Sequence, residues 1–284
     1  MKRIILLLLA LLPLCGYAGK KESCNVRWCS FNLRVNAAAD KEIGASWETR
    51  RDRVCQYLKD NEIDVVGFQE VTTSMLPDLV ERLPEYDYVA QGRLNNPERD
   101  EMVPVFWRKD KYKELDHGHF WLSETPEVPA SKGWDTSVPR IATWVKLKDN
   151  ATGKVFVALS THFDHKGQQA RIESGKLLQR MVPKIAGKNP AMLAGDFNMR
   201  DTSPGYAAIV GGPFVLRDAY YMSPEHEGVR YSFQSFSRIA PKDASKIDFI
   251  FVTSQIEVLH TCITKDNPDA PLSDHNPHWA DLRF

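Results

Sequence analysis

The sequence predicts an α/β fold, and five stretches carry that expectation. Residues 26–33 alternate around Trp28 and Ser30 as a half-buried strand does, and residues 65–68 are a short β-branched run of the buried-strand kind. Between them Trp47, Arg51, Val54, Cys55 and Leu58 recur at helical spacing over residues 46–61, so the chain opens strand, helix, strand. Farther on, residues 168–185 carry an apolar stripe of Ile172, Leu177, Leu178, Met181 and Ile185, and a near-continuous apolar run at residues 191–194 follows it. Helices and strands alternating in this way belong to layered α/β domains.

The other elements follow in order. A helix is expected over residues 73–83, then strands over 86–91 and 103–108. The strand pattern continues at residues 119–122, 142–147 and 155–162, the last two joined by the turn signal Asp149-Asn150-Ala151-Thr152-Gly153. Strands at residues 247–253 and 256–263, a loop rich in Asp and Pro, and a strand at residues 278–284 complete the pattern. No linker or internal repeat interrupts it, so residues 19–284 read as one large domain.

Residues 1–18 read as an export signal. Lys2 and Arg3 precede an apolar run at residues 4–14, and Gly16-Tyr17-Ala18 offers small residues to a peptidase. The run is too short to span a bilayer, and no other segment reads as membrane-spanning. Cleavage after Ala18 and a periplasmic or extracellular monomer are expected. Lipoprotein anchoring at Cys15 is disfavoured, because bulky Leu14 stands where a small residue is preferred.

Subtracting Lys2 and Arg3 from the 37 basic side chains leaves 35 against 37 acidic ones, a balance that argues against indiscriminate binding of polyanions. Once Cys15 leaves with the signal, Cys24, Cys29, Cys55 and Cys262 remain and allow three pairings. None has metal-type spacing, and buried free thiols are expected in a domain of this size.

The chemistry stands at the ends of the apolar runs. Asn32 closes Ser30-Phe31-Asn32, Glu70 closes Phe68-Gln69-Glu70, and His162 closes Ser160-Thr161-His162. Asp196 and Asn198 lie in Gly195-Asp196-Phe197-Asn198, Asp248 sits at the end of its own strand in Lys246-Ile247-Asp248, and Asp274 and His275 lie in Ser273-Asp274-His275-Asn276-Pro277. Hard carboxylate and amide oxygens suit Mg²⁺, and imidazoles beside carboxylates suit charge on a phosphate. Asn32 and Glu70 end neighbouring parallel strands, where open α/β sheets gather their site residues. Asp196 and Asn198, two residues apart, point to one side of an extended turn, although an Asx turn alone also explains such a pair.

Taken in this order, these runs resemble the endonuclease/exonuclease/phosphatase family. Its metal-dependent phosphoesterases include pancreatic-type DNases, abasic-site endonucleases, inositol-phosphate phosphatases, neutral sphingomyelinases and deadenylases. The resemblance spans residues 26–284. It implies a four-layer α/β sandwich, with two mixed sheets face to face, helices outside, and the site residues at one edge. It implies Glu70 as the principal Mg²⁺ ligand, with Mn²⁺ as an alternative ion, Asn32 as a ligand or its partner, and Asp274 as a carboxylate near the metal. Asp196 would orient or deprotonate the attacking water, and Asn198 would donate its amide to the phosphate. His275, held in its tautomer by Asp248, would contact the scissile phosphate. His162 would be a second imidazole steadied by Glu101, and Arg140 would reach the substrate phosphate or the loop beside it. His117, His165, His226, His260 and His278 match nothing and read as surface or core residues. One metal or two stays open.

Two features bear on substrate. Abasic-site nucleases carry basic loops that grip duplex phosphates, whereas residues 93–111 here mix Glu98, Asp100, Glu101 and Asp110 among their cations, a weak duplex grip. Trp107, Phe120, Trp121, Trp134 and Phe163 are candidates to line a pocket for a sugar or base as well as core residues. The expected activity is that of an exported Mg²⁺-dependent phosphoesterase acting on phosphomonoester or phosphodiester bonds of a small or soluble substrate. The alternative is an extracellular nuclease acting on DNA or RNA. A non-catalytic binding protein on the same fold is disfavoured by the intact residue set. Sphingomyelinase-like action would want an apolar hairpin for membrane docking, which the sequence does not offer.

Overall fold

Strand alternation divides the apolar residues between two sheets and the helices outside them. The computed structural model describes residues 22–284; the expected export signal, residues 1–18, and Cys15 lie outside the described residues. In chain order the elements are β1 (Asn25–Asn32), a 3-10 helix (Ala38–Ile43), α1 (Trp47–Asp60), β2 (Val65–Gln69), β3 (Val71–Thr72), α2 (Leu76–Arg82), β4 (Tyr86–Val89), β5 (Glu101–Met102) and β6 (Val105–Arg108). There follow β7 (Tyr112–Trp121), β8 (Ile141–Asp149), β9 (Val155–His162), α3 (Gln168–Ala186), β10 (Ala191–Asp196), α4 (Pro204–Val210), β11 (Leu216–Asp218) and α5 (Ala219–Met222). The last are β12 (His226–Gly228), β13 (Asp248–Thr253), β14 (Glu257–Ile263) and β15 (His278–Arg283).

One sheet has the order β12-β14-β15-β1-β2-β6-β4 and the other β11-β13-β10-β9-β8-β7, both mixing parallel and antiparallel neighbours, and β3 pairs with β5 apart from them. Val26, Trp28, Val65, Val105 and Trp107 of the first sheet pack on Val145, Ala158, Met192, Ala194, Ile250 and Val252 of the second. On the far face of the first sheet, Cys29, Phe31, Val66 and Phe68 meet Val54, Leu58 and Leu79 of α1 and α2. On the far face of the second, Val157, Leu159, Leu193, Phe249 and Phe251 meet Leu177, Leu178, Val182 and Ile209 of α3 and α4. This is the expected four-layer α/β sandwich.

The two sheets approach each other closely beside the site. A Cβ on Gly67 would stand 2.9 Å from Ser160 Cβ, so only glycine fits there. Gln69 Nε2 donates to Ser160 Oγ at 3.1 Å, and Ser160 Oγ donates to the Phe68 carbonyl at 2.9 Å, tying β2 to β9.

Some elements differ from the sequence expectation. Residues 73–75 lie outside α2, whose first turn holds Pro77, and residues 71–72 pair instead with β5. β7 begins seven residues earlier than expected, because its exposed Lys113, Glu114, Asp116 and His117 hide the alternation. The short α4 was not expected, although Ser203 caps it by accepting from Tyr206 N–H and Pro204 opens it. The aromatic residues offered as pocket candidates are core: Trp107 lies between the sheets, Phe120 and Phe163 lie under α3, and Trp121 packs with Val103 and Ile141, while Trp134 is only partly buried. Cys24, Cys29, Cys55 and Cys262 are buried free thiols. Among the described residues no helix is long and apolar enough to cross a membrane.

A buried arginine fastens the loops that follow these strands. Arg50 on α1 is fully buried and spends its donors on backbone carbonyls: Nε on Ala45 at 2.8 Å, Nη1 on Leu33 at 2.7 Å and Leu272 at 2.8 Å, and Nη2 on Arg34 at 3.4 Å. Burial lowers its pKa to about 10, so it stays a cation at neutral pH. Ser273 Oγ adds a bond to the Asn32 carbonyl at 2.7 Å, so the exit of β1 is joined to the segment carrying Asp274 and His275. In Arg50→Leu four carbonyls lose this donor, the fully buried ones at about 1–3 kcal/mol each, and we expect urea unfolding to register a loss of at least about 3 kcal/mol. Arg50→Lys, with one ammonium in place of a planar fork, should recover only part of it. Coincident unfolding curves for the parent and Arg50→Leu would show that the clamp contributes nothing.

The first residue of β15 makes stability depend on pH. His278 is buried with Nε2 2.9 Å from Thr261 Oγ1, and burial, with Lys246 nearby, pulls its pKa down to about 3. Its folded pKa lies below the unfolded value of about 6.5, so its contribution is whole above that pH and is lost as pH falls toward 3. Near pH 5 the loss is about 2 kcal/mol, or roughly 4–8 °C of Tm in a domain of this size. His278→Asn should shrink the Tm difference between about pH 7.5 and about pH 5 by that amount; an unchanged difference would rule His278 out as its source.

Candidate active site

The site is the polar end of the layer between the sheets. Asn32, His162, Asp196 and Asp248 share strand phase with Trp28, Ala158, Ala194 and Ile250, all of which face that layer. In the ladders Asp196 stands level with His162 of β9 on one side and Asp248 of β13 on the other. Asp248 opens its strand rather than closing an incoming run. Because β13 runs antiparallel to β10, its first residue reaches the same edge as the carboxyl ends of β1, β9 and β10.

Asn32 joins the two sheets. Its Nδ2 donates to Glu70 Oε1 at 3.1 Å and to Asp196 Oδ2 at 3.0 Å, while its Oδ1 accepts the Arg34 N–H at 2.9 Å. With Oδ1 so engaged, the amide stands as a partner of the carboxylates. Glu70 has φ 62°, which breaks the alternation of β2 and brings its carboxylate to Asn32 and to the Val35 N–H, 2.8 Å from Oε2. Asn198 also has a positive φ, 50°; its N–H closes an Asx turn on Asp196 Oδ1 at 2.8 Å, and its Nδ2 reaches His162 Nε2 and the Phe163 carbonyl, each at 3.0 Å. The local turn and the cross-strand contact thus coexist.

His275 Nδ1 lies 2.8 Å from Asp248 Oδ2, which leaves Nε2 facing Asp196 Oδ2 at 3.7 Å. Asp248 is held in turn by its own N–H and that of Ile247, both donated to Ser232 Oγ at 3.0 Å. The Phe233 ring packs on the His275 imidazole with centroids 4.9 Å apart.

The two imidazoles take opposite charge states. Burial, then Arg140 and Arg93, pulls the His162 pKa well below the usual value and keeps the ring neutral. Burial also works against a cation at His275, but Asp248, Asp196 and Asp274 outweigh it and hold that imidazole well above its usual value. Asp196 is pushed up to about 7, by burial first and Asp248 second. Asp274 is raised too, chiefly by burial.

Other expected site residues lie one step out. Glu101 is bonded to Arg93 Nη1 at 2.5 Å, and its Oε1 stands 3.7 Å from His162 Nδ1, too far for a hydrogen bond. Arg140 is buried with Nη2 3.1 Å from His165 Nδ1, Nε 3.5 Å from Asp164 and Nη1 3.8 Å from Glu101. His165 is a surface residue, as expected, and contacts Arg140 beside the site. Asp274 accepts from Ser273 Oγ at 3.3 Å and lies 3.9 Å from Arg34 Nε. Sequence reasoning missed Arg34, Arg50, Arg93, Ser232 and Phe233, none of which stands at the end of an apolar run.

The donor set fits a hard dication. Glu70, His162 and Asp196 each offer an atom within 4.8 Å of the others, and so do Asp196, Asp248 and His275. The second group is closed by the Asp248–His275 hydrogen bond, and the first keeps two carboxylates that share one amide donor. The raised Asp196 pKa reflects buried negative charge short of a counterion, a lack that a bound dication relieves.

The geometry has counterparts in known proteins. A Bacteroides vulgatus structure described as endonuclease/exonuclease/phosphatase superposes with a TM-score of 0.89 at 47% identity, covering 91% of this chain and 98% of that one. A mannosyl-6-phosphatase of Bacteroides thetaiotaomicron superposes with a TM-score of 0.85 at 34% identity, covering 91% and 100%. Among curated relatives, Drosophila melanogaster Nocturnin is 24% identical over 253 residues, 78% of this chain, and the chain spans only 38% of its length. An uncharacterised Acanthamoeba polyphaga mimivirus protein is 30% identical over 163 residues, 55% of this chain and 60% of its own length. Residues 25–275 match the sequence profile of the Endonuclease/Exonuclease/phosphatase family, and the chain belongs to that family of metal-dependent phosphoester hydrolases.

Proposed function

We propose that the chain is an exported Mg²⁺-dependent phosphatase of small phosphate esters, with sugar phosphates the foremost substrates. The observation that carries the small-substrate reading is the pairing of the arginines around the site. Arg34 is engaged by Asp40 at 3.1 Å, Arg93 by Glu101 at 2.5 Å, and Arg140 lies between Asp164 and Glu101. Cations neutralised in this way do not make a track for a polyanion, whose binding requires free charges along its length. The likeness to the mannosyl-6-phosphatase, over all of that chain, supports a sugar phosphate. Export rests on the pattern of residues 1–18.

In this reading Glu70, positioned by the Asn32 amide, would be the principal holder of Mg²⁺, with Asp196 beside it. The ion supplies neutralisation of phosphate charge. Asp196 takes the proton of the attacking water on the oxygen facing His162 and His275. Cationic His275 donates from Nε2 to a phosphate oxygen, and Asp248 keeps its tautomer fixed through Nδ1. Asn198 and neutral His162 orient the ester from the other sheet edge.

Glu70→Gln should keep the fold and raise the Mg²⁺ needed for half-maximal rate by at least roughly tenfold, because an amide binds a hard dication far less well than a carboxylate. Asp196→Asn should lower kcat on the order of 10² to 10⁴. Activity indifferent to a chelator, or to both substitutions, would remove this mechanism.

The substrate class is tested with sugar phosphates, inositol phosphates, nucleotides, single-stranded RNA and duplex DNA, each with Mg²⁺ and with Mn²⁺. We expect sugar monophosphates to lead and duplex DNA to be a poor substrate. The salt dependence should be shallow, against a slope of about −0.9 per phosphate contact for a duplex binder. Efficient duplex cleavage with steep salt dependence would make the chain a nuclease.

A further inference from the structure

A second cleft opens at the same edge of the sandwich, between the outermost strands of the two sheets. One wall carries Tyr220 and Tyr221 on α5, the helix directly after β11, which is the edge strand of the six-stranded sheet. The other follows β12, the edge strand of the seven-stranded sheet, and carries Arg230. Arg200, Ser245 and Lys246 form the end nearest the catalytic residues, and the cavity there measures about 300 Å³. It continues past Tyr220, Tyr221 and Arg230 into a second space of about 400 Å³.

The connections to the active site are short. Arg200 lies two residues from Asn198 and its Nη2 donates to Ser245 Oγ at 2.9 Å. Arg230 lies two residues from Ser232, whose hydroxyl accepts the Asp248 N–H at 3.0 Å. Phe233 bridges Ser245 on one side and His275 on the other. Two residues of chain span at most about 7 Å, so the backbone of Arg200 lies within that distance of Asn198 and the backbone of Arg230 within that distance of Ser232.

Two guanidinium groups stand in this cleft, whose lining also holds Asp201 and Glu227, and neither is tied up in the way the arginines of the site itself are. Arg200 and Arg230 are exposed and enter no ion pair among the described residues. Of the acids, Asp218 pairs with Lys246 at 2.9 Å, while Asp201, which accepts the Tyr221 hydroxyl, and Glu227, which faces His260 at 3.7 Å, line the cleft without pairing to either arginine. Tyr221, though a large aromatic residue, is 59% exposed. Lys246 Nζ holds the tyrosine platform from beneath, 4.7 Å from the Tyr220 ring centre and 5.0 Å from that of Tyr221. An exposed aromatic face beside two free guanidinium groups suits a ring bearing an anion.

We propose that this cleft is a substrate subsite, taking the sugar ring of the ester on Tyr221 and a second anionic group on that sugar between Arg200 and Arg230. The proposal rests on the phosphatase reading for the group cleaved, and it narrows the substrate class to sugar phosphates carrying a further phosphate or carboxylate.

Glucose 1,6-bisphosphate and glucose 6-phosphate, titrated calorimetrically into the full chain bearing Asp196→Asn with Mg²⁺ present, test it directly. The bisphosphate should bind at least about tenfold more tightly, and Arg200→Ala with Arg230→Ala should erase the difference. In the otherwise unaltered enzyme, Tyr221→Ala should raise KM for both sugar esters by at least about threefold while changing kcat by less than about twofold. Equal binding of the two sugars, or a preference that survives loss of both arginines, would overturn the subsite. A preference that depends on the arginines, in a chain whose parent hydrolyses neither sugar, would sink the phosphatase reading and leave the subsite standing.

Discussion

The contact on which the site depends is the Asn32 amide, which spans the gap between the sheets to hold Glu70 at 3.1 Å and Asp196 at 3.0 Å. Those carboxylates belong to different sheets, and two buried carboxylates at such range repel each other unless a donor or a cation stands between them. Packing has to bring the sheets close enough for one side chain to bridge. Gly67 and Ser160 provide that approach, since any side chain at residue 67 would prop β2 away from β9. The catalytic geometry is thus a consequence of how the inter-sheet core is filled.

Electrostatics then separates groups that start out chemically alike. His162 and His275 are both buried near Asp196, but His162 faces Arg140 and Arg93 while His275 is backed by Asp248. One imidazole is kept neutral and the other charged, so opposite sides of the centre have different hydrogen-bonding capacities. The carboxylate–imidazole hydrogen bond at 2.8 Å is the source of that asymmetry, and Ser232 fixes the carboxylate from behind.

Much of this was legible in the sequence because strand phase carries through to the strand end. Asn32, His162 and Asp196 each continue an alternation already visible in the apolar residues before them, so their convergence follows from the same period that makes the core. Asp248 was found, but the direction of its strand was not, since an apolar run reads the same in a parallel or antiparallel neighbour. Glu101 was matched to His162, yet its short contact is with Arg93, because a strand of two residues has too little period to fix its aim. Arg50 left no signal at all. It is one of three arginines within four residues on α1, and only the tertiary fold shows that it alone is swallowed whole.

Three residues around the centre, Arg34, Glu70 and Asn198, adopt left-handed backbone with φ of 58°, 62° and 50°. Asparagine tolerates that region, but the other two do so at a cost on the order of 1–3 kcal/mol each. At Glu70 the strain has a visible result: without it, the residue after Gln69 would continue toward the helix layer with Phe68 instead of meeting Asn32. The conformation persists because its surroundings over-determine it. The Val35 N–H and the Asn32 amide both hold the carboxylate, the Leu33 N–H holds the Gln69 carbonyl at 3.0 Å, and Arg50 fixes the carbonyls of Leu33 and Arg34. The buried arginine far from the reacting atoms and the strained glutamate beside them are therefore parts of one arrangement, in which stability stored under α1 keeps a carboxylate turned toward the opposite sheet.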